Sequence, residues 1–306
     1  MLNNGVGMTL ALMYPPLNLH GFIKRSANDF VVKEIPLEVP FGRGEHVYLK
    51  IRKRHANTHW VAQQLAEFCD LRPVDIGYAG RKDRHALTEQ WFSCYLPKAE
   101  PSWEKLSKDG VEVLSVERHF RKLQRGDLRV NDFAIKVSQI SSKELLLRGW
   151  LKVIRDKGFP NYFGVQRFGR DNLARAKCFL RKAEKRLGEQ GMLISAMRAY
   201  LFNECLSSFL NCGSMPEYGP LFGRSRDPQV GESFLSSDSL FYVDRLRRLR
   251  VRADRRVTVV RPLRFRWCFQ QDFLLLSFRL PPGSYATSLL RELVELEDLR
   301  GKEDFD

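Results

Sequence analysis

"YAGRKDRHALTEQW", residues 78–91, sets one carboxylate, Asp83, among Arg81, Lys82, Arg84 and His85, with Gly80 just ahead of them. The stretch runs on into "QWFSCYL" (90–96), whose alternation predicts a strand. Upstream, Thr58 is a candidate cap for a helix that places Val61, Leu65, Phe68 and Cys69 on one face. Asp83 is therefore expected on a loop between a helix and a strand. Gly80 permits a tight turn there, and the neighbouring cations favour the ionised carboxylate, a ready nucleophile or base. On these residues alone, a surface ion pair is the commoner role for such an aspartate.

Farther out, "DFVVKEIPLEV" (29–39) and "HVYLKIRK" (46–53) have strand composition, the second with Val47, Leu49 and Ile51 alternating. The glycines of "FGRGE" (41–45) between them suggest that the two strands pair. "VNDFAIKVS" (130–138) alternates Phe133, Ile135 and Val137. A helix starting near Ser141 or Ser142 then carries Leu146, Trp150, Val153 and Ile154, and Gly158 with Pro160 stops it. Two more helical patterns follow, Leu173, Ala176, Leu180, Ala183 and Leu187, then Leu193, Ala196, Met197, Tyr200, Leu201 and Cys205. Residues 213–240, rich in Gly, Ser and Pro, read as ordered loops. Strands return at "VTVVRPL" (257–263) and "FLLLSFRL" (273–280). "PPGSYATSLLRELVEL" (281–296) supplies a turn and a helix with Leu289, Leu293 and Leu296 as a packing stripe, and the acidic end (297–306) is expected to fray. The fold class is α+β, with strands at both ends enclosing a more helical middle that reads as an insertion.

Lys and Arg number 51 against 36 Asp and Glu, a formal charge of +15, so polyanions are the expected partners, nucleic acid first. Residues 245–266 hold ten arginines and one acid, which suits a phosphate-tracking surface including Arg248 and Arg255. The 306 residues, 43% of them hydrophobic, suffice for roughly two domains without metal or disulfide. Six scattered cysteines, none in a C-x-x-C pair, read as buried thiols in a reducing, cytoplasmic compartment. The first residues lack the basic leader of a secretory signal, and no run is as long as a membrane span.

"GYAGRKDRHALTEQWFS" (77–93) resembles the catalytic motif of the TruD family of tRNA pseudouridine synthases. "DFVVKEI" (29–35), "GRGEHVYLKIRKRHANTHWVA" (42–62), "VNDF" (130–133), "NYFGVQRFG" (161–169), "LFNECLSSFL" (201–210), "YGPLFG" (218–223) and "PPGSYATSLLREL" (281–293) resemble further motifs of that family, in its order. The resemblance implies a pseudouridine synthase core, a mixed and mainly antiparallel sheet flanked by helices, over 1–159 and 262–306. An inserted α/β TRUD domain would occupy 160–261. It implies a tRNA substrate, typically uridine 13, with no cofactor, no metal, no membrane and no obligatory protein partner; nothing in the sequence demands more than a monomer.

Carried onto this chain, the resemblance makes Asp83 the catalytic carboxylate, with Lys82 as a supporting cation. Asn131 would hydrogen-bond near it, Phe133 would stack on the target base, and Phe30 and Glu34 would lie close by. Period alone would make Phe133 strand core. Lys24, Arg81, Arg84, His85, Asn161, Gln166 and Arg167 are candidate RNA contacts, beside Arg248 and Arg255. The competing function is an RNA-binding protein or chaperone without catalysis. Asp83 and Asn131 together speak against it, because a pure binder of phosphates has no use for that carboxylate.

Overall fold

The computed structural model describes residues 8–106, 110–140, 144–169, 171–182, 190–226 and 229–298. Ser141, Ser142, Ala183, Leu187 and most of the acidic end lie outside them.

Strands β1 (His20–Ile23), β2 (Phe30–Pro36) and β3 (His46–Lys53) precede helix α1 (Thr58–Phe68). Then come β4 (Gly77–Tyr78), β5 (Leu87–Tyr95), β6 (Val111–His119), β7 (Leu128–Ser138), α2 (Glu144–Lys157) and β8 (Phe159–Pro160). The middle adds α3 (Asn172–Lys182), α4 (Gln190–Asn211), β9 (Tyr218–Leu221), α5 (Ser237–Arg248), β10 (Asp254–Val257) and β11 (Val259–Val260). The chain closes with β12 (Leu263–Phe269), β13 (Phe273–Leu280), α6 (Ala286–Leu290) and β14 (Glu295–Asp298).

Two compact units form. One comprises His20–Glu144, Pro262–Pro282 and Glu297–Asp306; the other comprises Met1–Leu19, Leu145–Arg261 and Gly283–Leu296. The second is larger than the 160–261 segment that the family resemblance implies, because it also takes in the segment before β1, α2 and the stretch around α6. Long-range contacts explain the difference. The Glu292 carboxylate accepts from the Met13 and Tyr14 amides at 2.9 and 3.2 Å, and the Tyr14 hydroxyl donates to the Gly158 carbonyl at 2.7 Å. Burial raises the Glu292 carboxyl to about 7. The unit's core is made by Leu173, Ala176 and Phe179 of α3, Met197 and Leu201 of α4, and Tyr242 and Leu246 of α5.

The first unit is built on one sheet in the order β12-β13-β7-β2-β5-β3-β6. All these pairs are antiparallel except β2 with β5. Val47, Leu49 and Ile51 of β3 pack with Val61 and Leu65 of α1 and Phe92 of β5. The expected β2–β3 hairpin does not form; β5 lies between the two. Residues 88–94 of β5 are all buried, so this strand needs hydrogen-bonded neighbours on both edges, and it takes β2 and β3.

Several local expectations are corrected. Asn57, not Thr58, caps α1, its Oδ1 accepting from the Trp60 amide at 2.8 Å. In α2 the buried stripe is Leu147, Leu151 and Ile154, while Leu146 is exposed; the run of three leucines at 145–147 leaves the phase of the face undetermined by pattern. The 213–240 stretch contains β9 and the start of α5, and α6 is a single short helix that gives way to β14. Leu289, Leu293 and Leu296 are nonetheless buried. Of the cysteines, only Cys94 and Cys205 are buried; Cys178, Cys212 and Cys268 are exposed, since thiol composition alone does not fix burial.

Candidate active site

The loop from Ala79 to Ala86 is tied down along its backbone. The Lys82 amide donates to Thr58 Oγ1 at 2.9 Å, Gln90 Nε2 donates to the Gly80 carbonyl at 3.1 Å, and Lys53 Nζ donates to the Asp83 carbonyl at 2.9 Å. The Asp83 side chain turns back so that Oδ1 accepts from the His85 amide at 3.0 Å. Gly80 is not required for a tight turn. Its φ is not positive, and a Cβ there would sit 3.8 Å from Leu128 Cδ2, an ordinary contact.

The cation on the Asp83 carboxylate comes from outside the motif: Lys24 Nζ donates to Asp83 Oδ2. The Lys24 side chain is 3% exposed and that of Asp83 17% exposed, so the pair is largely screened from solvent while the carboxylate keeps an open side. Asp298 lies 3.6 Å from the same ammonium, which also sits 4.6 Å from the centre of the Phe30 ring. Lys24 has φ +59, unusual for a residue with a side chain.

Lys82 serves a different pair. Its Nζ is 2.6 Å from Glu34 Oε2 and donates to Asn131 Oδ1 at 2.7 Å. Register brings these acceptors together, for Glu34 of β2 stands opposite Asn131 of β7. Two residues along, Val32 stands opposite Phe133. Phe133 is 7% exposed, stacked on Phe278 at 5.4 Å and edge-on to Phe30 at 6.3 Å. Charge and aromatic surface thus adjoin through Lys24 and Phe30.

Lys53, Thr58, Gln90 and Asp298 are the members that sequence reasoning missed. Lys53 carried a signal: it continues the inward phase of Val47, Leu49 and Ile51, an anomalous place for a cation. The other three had none.

The candidate RNA contacts scatter. Arg81 and Arg84 are exposed, Arg84 Nε donating to the His55 carbonyl at 3.2 Å, and His85 is half-buried. In the second unit, Gln166 and Arg167 are exposed, Arg167 lying over Phe163 and bonded to Ser195. Asn161 is buried and fully engaged, donating to the Val257 carbonyl at 3.0 Å and accepting from Arg256 at 2.7 Å. Arg248 is exposed and paired with Asp244 at 2.8 Å; Arg255 is exposed on β10. The arginine run is not one surface. Arg245 bonds the Leu180 carbonyl, Arg247 pairs with Glu232, and Arg256 lies 4.0 Å over Phe163, where burial lowers its guanidinium to about 10.

Residues 11–176, more than half of the chain, match the sequence model of the family described as tRNA pseudouridine synthase D (TruD). The tRNA pseudouridine synthase D of Cellvibrio japonicus is 38% identical over 93% of this chain and 92% of its own length. That of Nitrosococcus oceani is 36% identical over 94% of each. The fold matches a crystal structure of a Methanosarcina mazei protein assigned to TruD, with a TM-score of 0.65 at 18% identity, covering 94% of this chain and 96% of that one. The chain belongs to the TruD family of tRNA pseudouridine synthases.

Proposed function

We propose that this protein isomerises a uridine of tRNA to pseudouridine with Asp83 as the acting carboxylate, the uridine being the one at position 13 that the family resemblance implies. The observation that carries this reading is the Lys24–Asp83 pair: a carboxylate with its charge balanced from behind and 17% of its side chain still open. In the reaction the N1–C1′ bond breaks, the uracil turns and C5 joins C1′. One proton leaves C5 and one is gained at N1, so the composition is unchanged. Asp83 can meet the electron-poor C1′ as a nucleophile or as a counter-charge. The target nucleotide must leave the helical stack to reach it. Phe133 has no hydroxyl, so it offers a ring face and cannot serve as a base. Lys82, Glu34 and Asn131 brace the strands from which that ring projects. The reading includes a cytoplasmic monomer acting without cofactor or obligatory protein partner.

The test uses tRNA tritiated at uracil C5 and compares native protein with Asp83→Asn. Tritium released to water by the native protein and withheld by the variant supports the reading. Undiminished release by the variant removes Asp83 from the chemistry. Tight tRNA binding with no release from the native protein makes this a binding protein only.

A further inference from the structure

Lys53 is fully buried at the end of β3, with 0% of its surface exposed. Its ammonium donates to two main-chain carbonyls, Ala56 at 2.6 Å and Asp83 at 2.9 Å, and among the described residues it makes no salt bridge. Placing a charge there is costly, and a methionine of similar length would fill the space without that cost. Satisfying the Ala56 carbonyl alone would not require an ammonium. The second bond ties the main chain of Asp83 to the end of a strand held on both edges, by β5 and β6.

We propose that Lys53 is a positioning residue for the Asp83 carboxylate, joining the loops after β3 and before β5 through two carbonyls and thereby fixing the Cα from which the carboxylate projects. With the main chain clamped by Lys53, the side chain is set by Lys24 on Oδ2 and the His85 amide on Oδ1. Lys24 and Lys53 thus hold opposite ends of one residue from two separate strand ends. The inference rests on Asp83 being the acting carboxylate, and it goes beyond that reading by assigning its aim to a residue that touches no substrate.

The experiment compares Lys53→Met and Lys53→Arg with native protein and Asp83→Asn, measuring single-turnover tritium release, tRNA Kd and folding by circular dichroism. Loosening the loop by about 1 Å is expected to cost ~10²-fold in rate. Lys53→Met is therefore expected to fold, to keep Kd within threefold of native and to lose ~10²-fold in rate. Lys53→Arg, which can still donate to carbonyls, is expected to recover at least tenfold of that loss. A folded Lys53→Met with a rate within threefold of native overturns the proposal, as does a loss that lies wholly in Kd. Failure of both variants to fold also overturns it, because Lys53 would then support the fold only. An active Asp83→Asn sinks the underlying reading instead, which keeps the two failures distinct.

Discussion

Glu34 and Asn131 face each other across β2 and β7 and share one cation, Lys82 Nζ, at 2.6 and 2.7 Å. The Glu34 side chain is 0% exposed, so Lys82 is a cation paired with a carboxylate withdrawn from solvent. Lys82→Met strands a buried carboxylate and is expected to destabilise the protein by about 3–5 kcal/mol in urea unfolding. Lys82→Met combined with Glu34→Gln should regain most of the loss. A double variant no more stable than the single one would show that the pair is not coupled.

Lys24 should matter to rate more than to folding. Lys24→Met removes the ammonium bonded to Asp83 Oδ2, and a loss of roughly 10²-fold in single-turnover tritium release is expected, the scale of a lost electrostatic partner in an active site. Native-like tRNA binding in the same variant separates this from a substrate-affinity effect.

Stability should rise with pH at Lys53. Burial lowers its ammonium from the ordinary 10.5 to about 8, with Asp83 opposing that shift and Lys82 adding to it. Between those values the unfolded chain holds a proton that the folded chain has released, so unfolding free energy increases with pH. Native protein should therefore gain on Lys53→Met by on the order of 2 kcal/mol between pH 7.5 and pH 10. Parallel stability curves for the two proteins would contradict the buried charge.

Glu292 runs in the opposite sense. Its carboxyl is raised from 4.5 to about 7 by burial, Arg291 opposing, so the fold prefers the protonated form and stability falls as pH climbs through that interval. Glu292→Gln should match native protein in thermal melts at pH 5 and exceed its Tm at pH 8. A lower Tm at pH 8 would mean that the ionised carboxylate is the form the Met13 and Tyr14 amides need.

Two glycines, four and two residues before β3 begins at His46, make a sharper backbone test than Gly80. Gly44 has φ +122, and a Cβ there would fall 2.3 Å from the His119 carbonyl oxygen; Gly42 has φ +76 with nothing within 4 Å. Gly44→Ala should cost several kcal/mol in urea unfolding and Gly42→Ala about 1 kcal/mol. Equal costs would mean that the loop moves away from His119 freely.

The inward residues of β3 and β7 were legible because Val47, Leu49, Ile51, Phe133, Ile135 and Val137 obey the two-residue period of a half-buried strand. Asp83 emerged from resemblance, since a loop aspartate among arginines has no pattern of its own. Lys24, the cation that pairs with it, emerged only as a candidate RNA contact. The motif's own Arg81 and Arg84 face outward, while Lys24 arrives from 59 positions away. The β2–β3 hairpin failed for the same reason, because a short glycine loop speaks for proximity in sequence and cannot report that β5 enters between. Helix α5 was hidden by arginines that its last turn accepts beside exposed carbonyls.

Because β5 enters the sheet between strands that precede it, the Asp83 loop cannot be shaped until segments 30, 49 and 59 positions apart have met. Assembly of this kind is slow, since loop closure must come before the contacts that reward it. In refolding from denaturant, helical signal should therefore return well before the capacity to turn over tRNA.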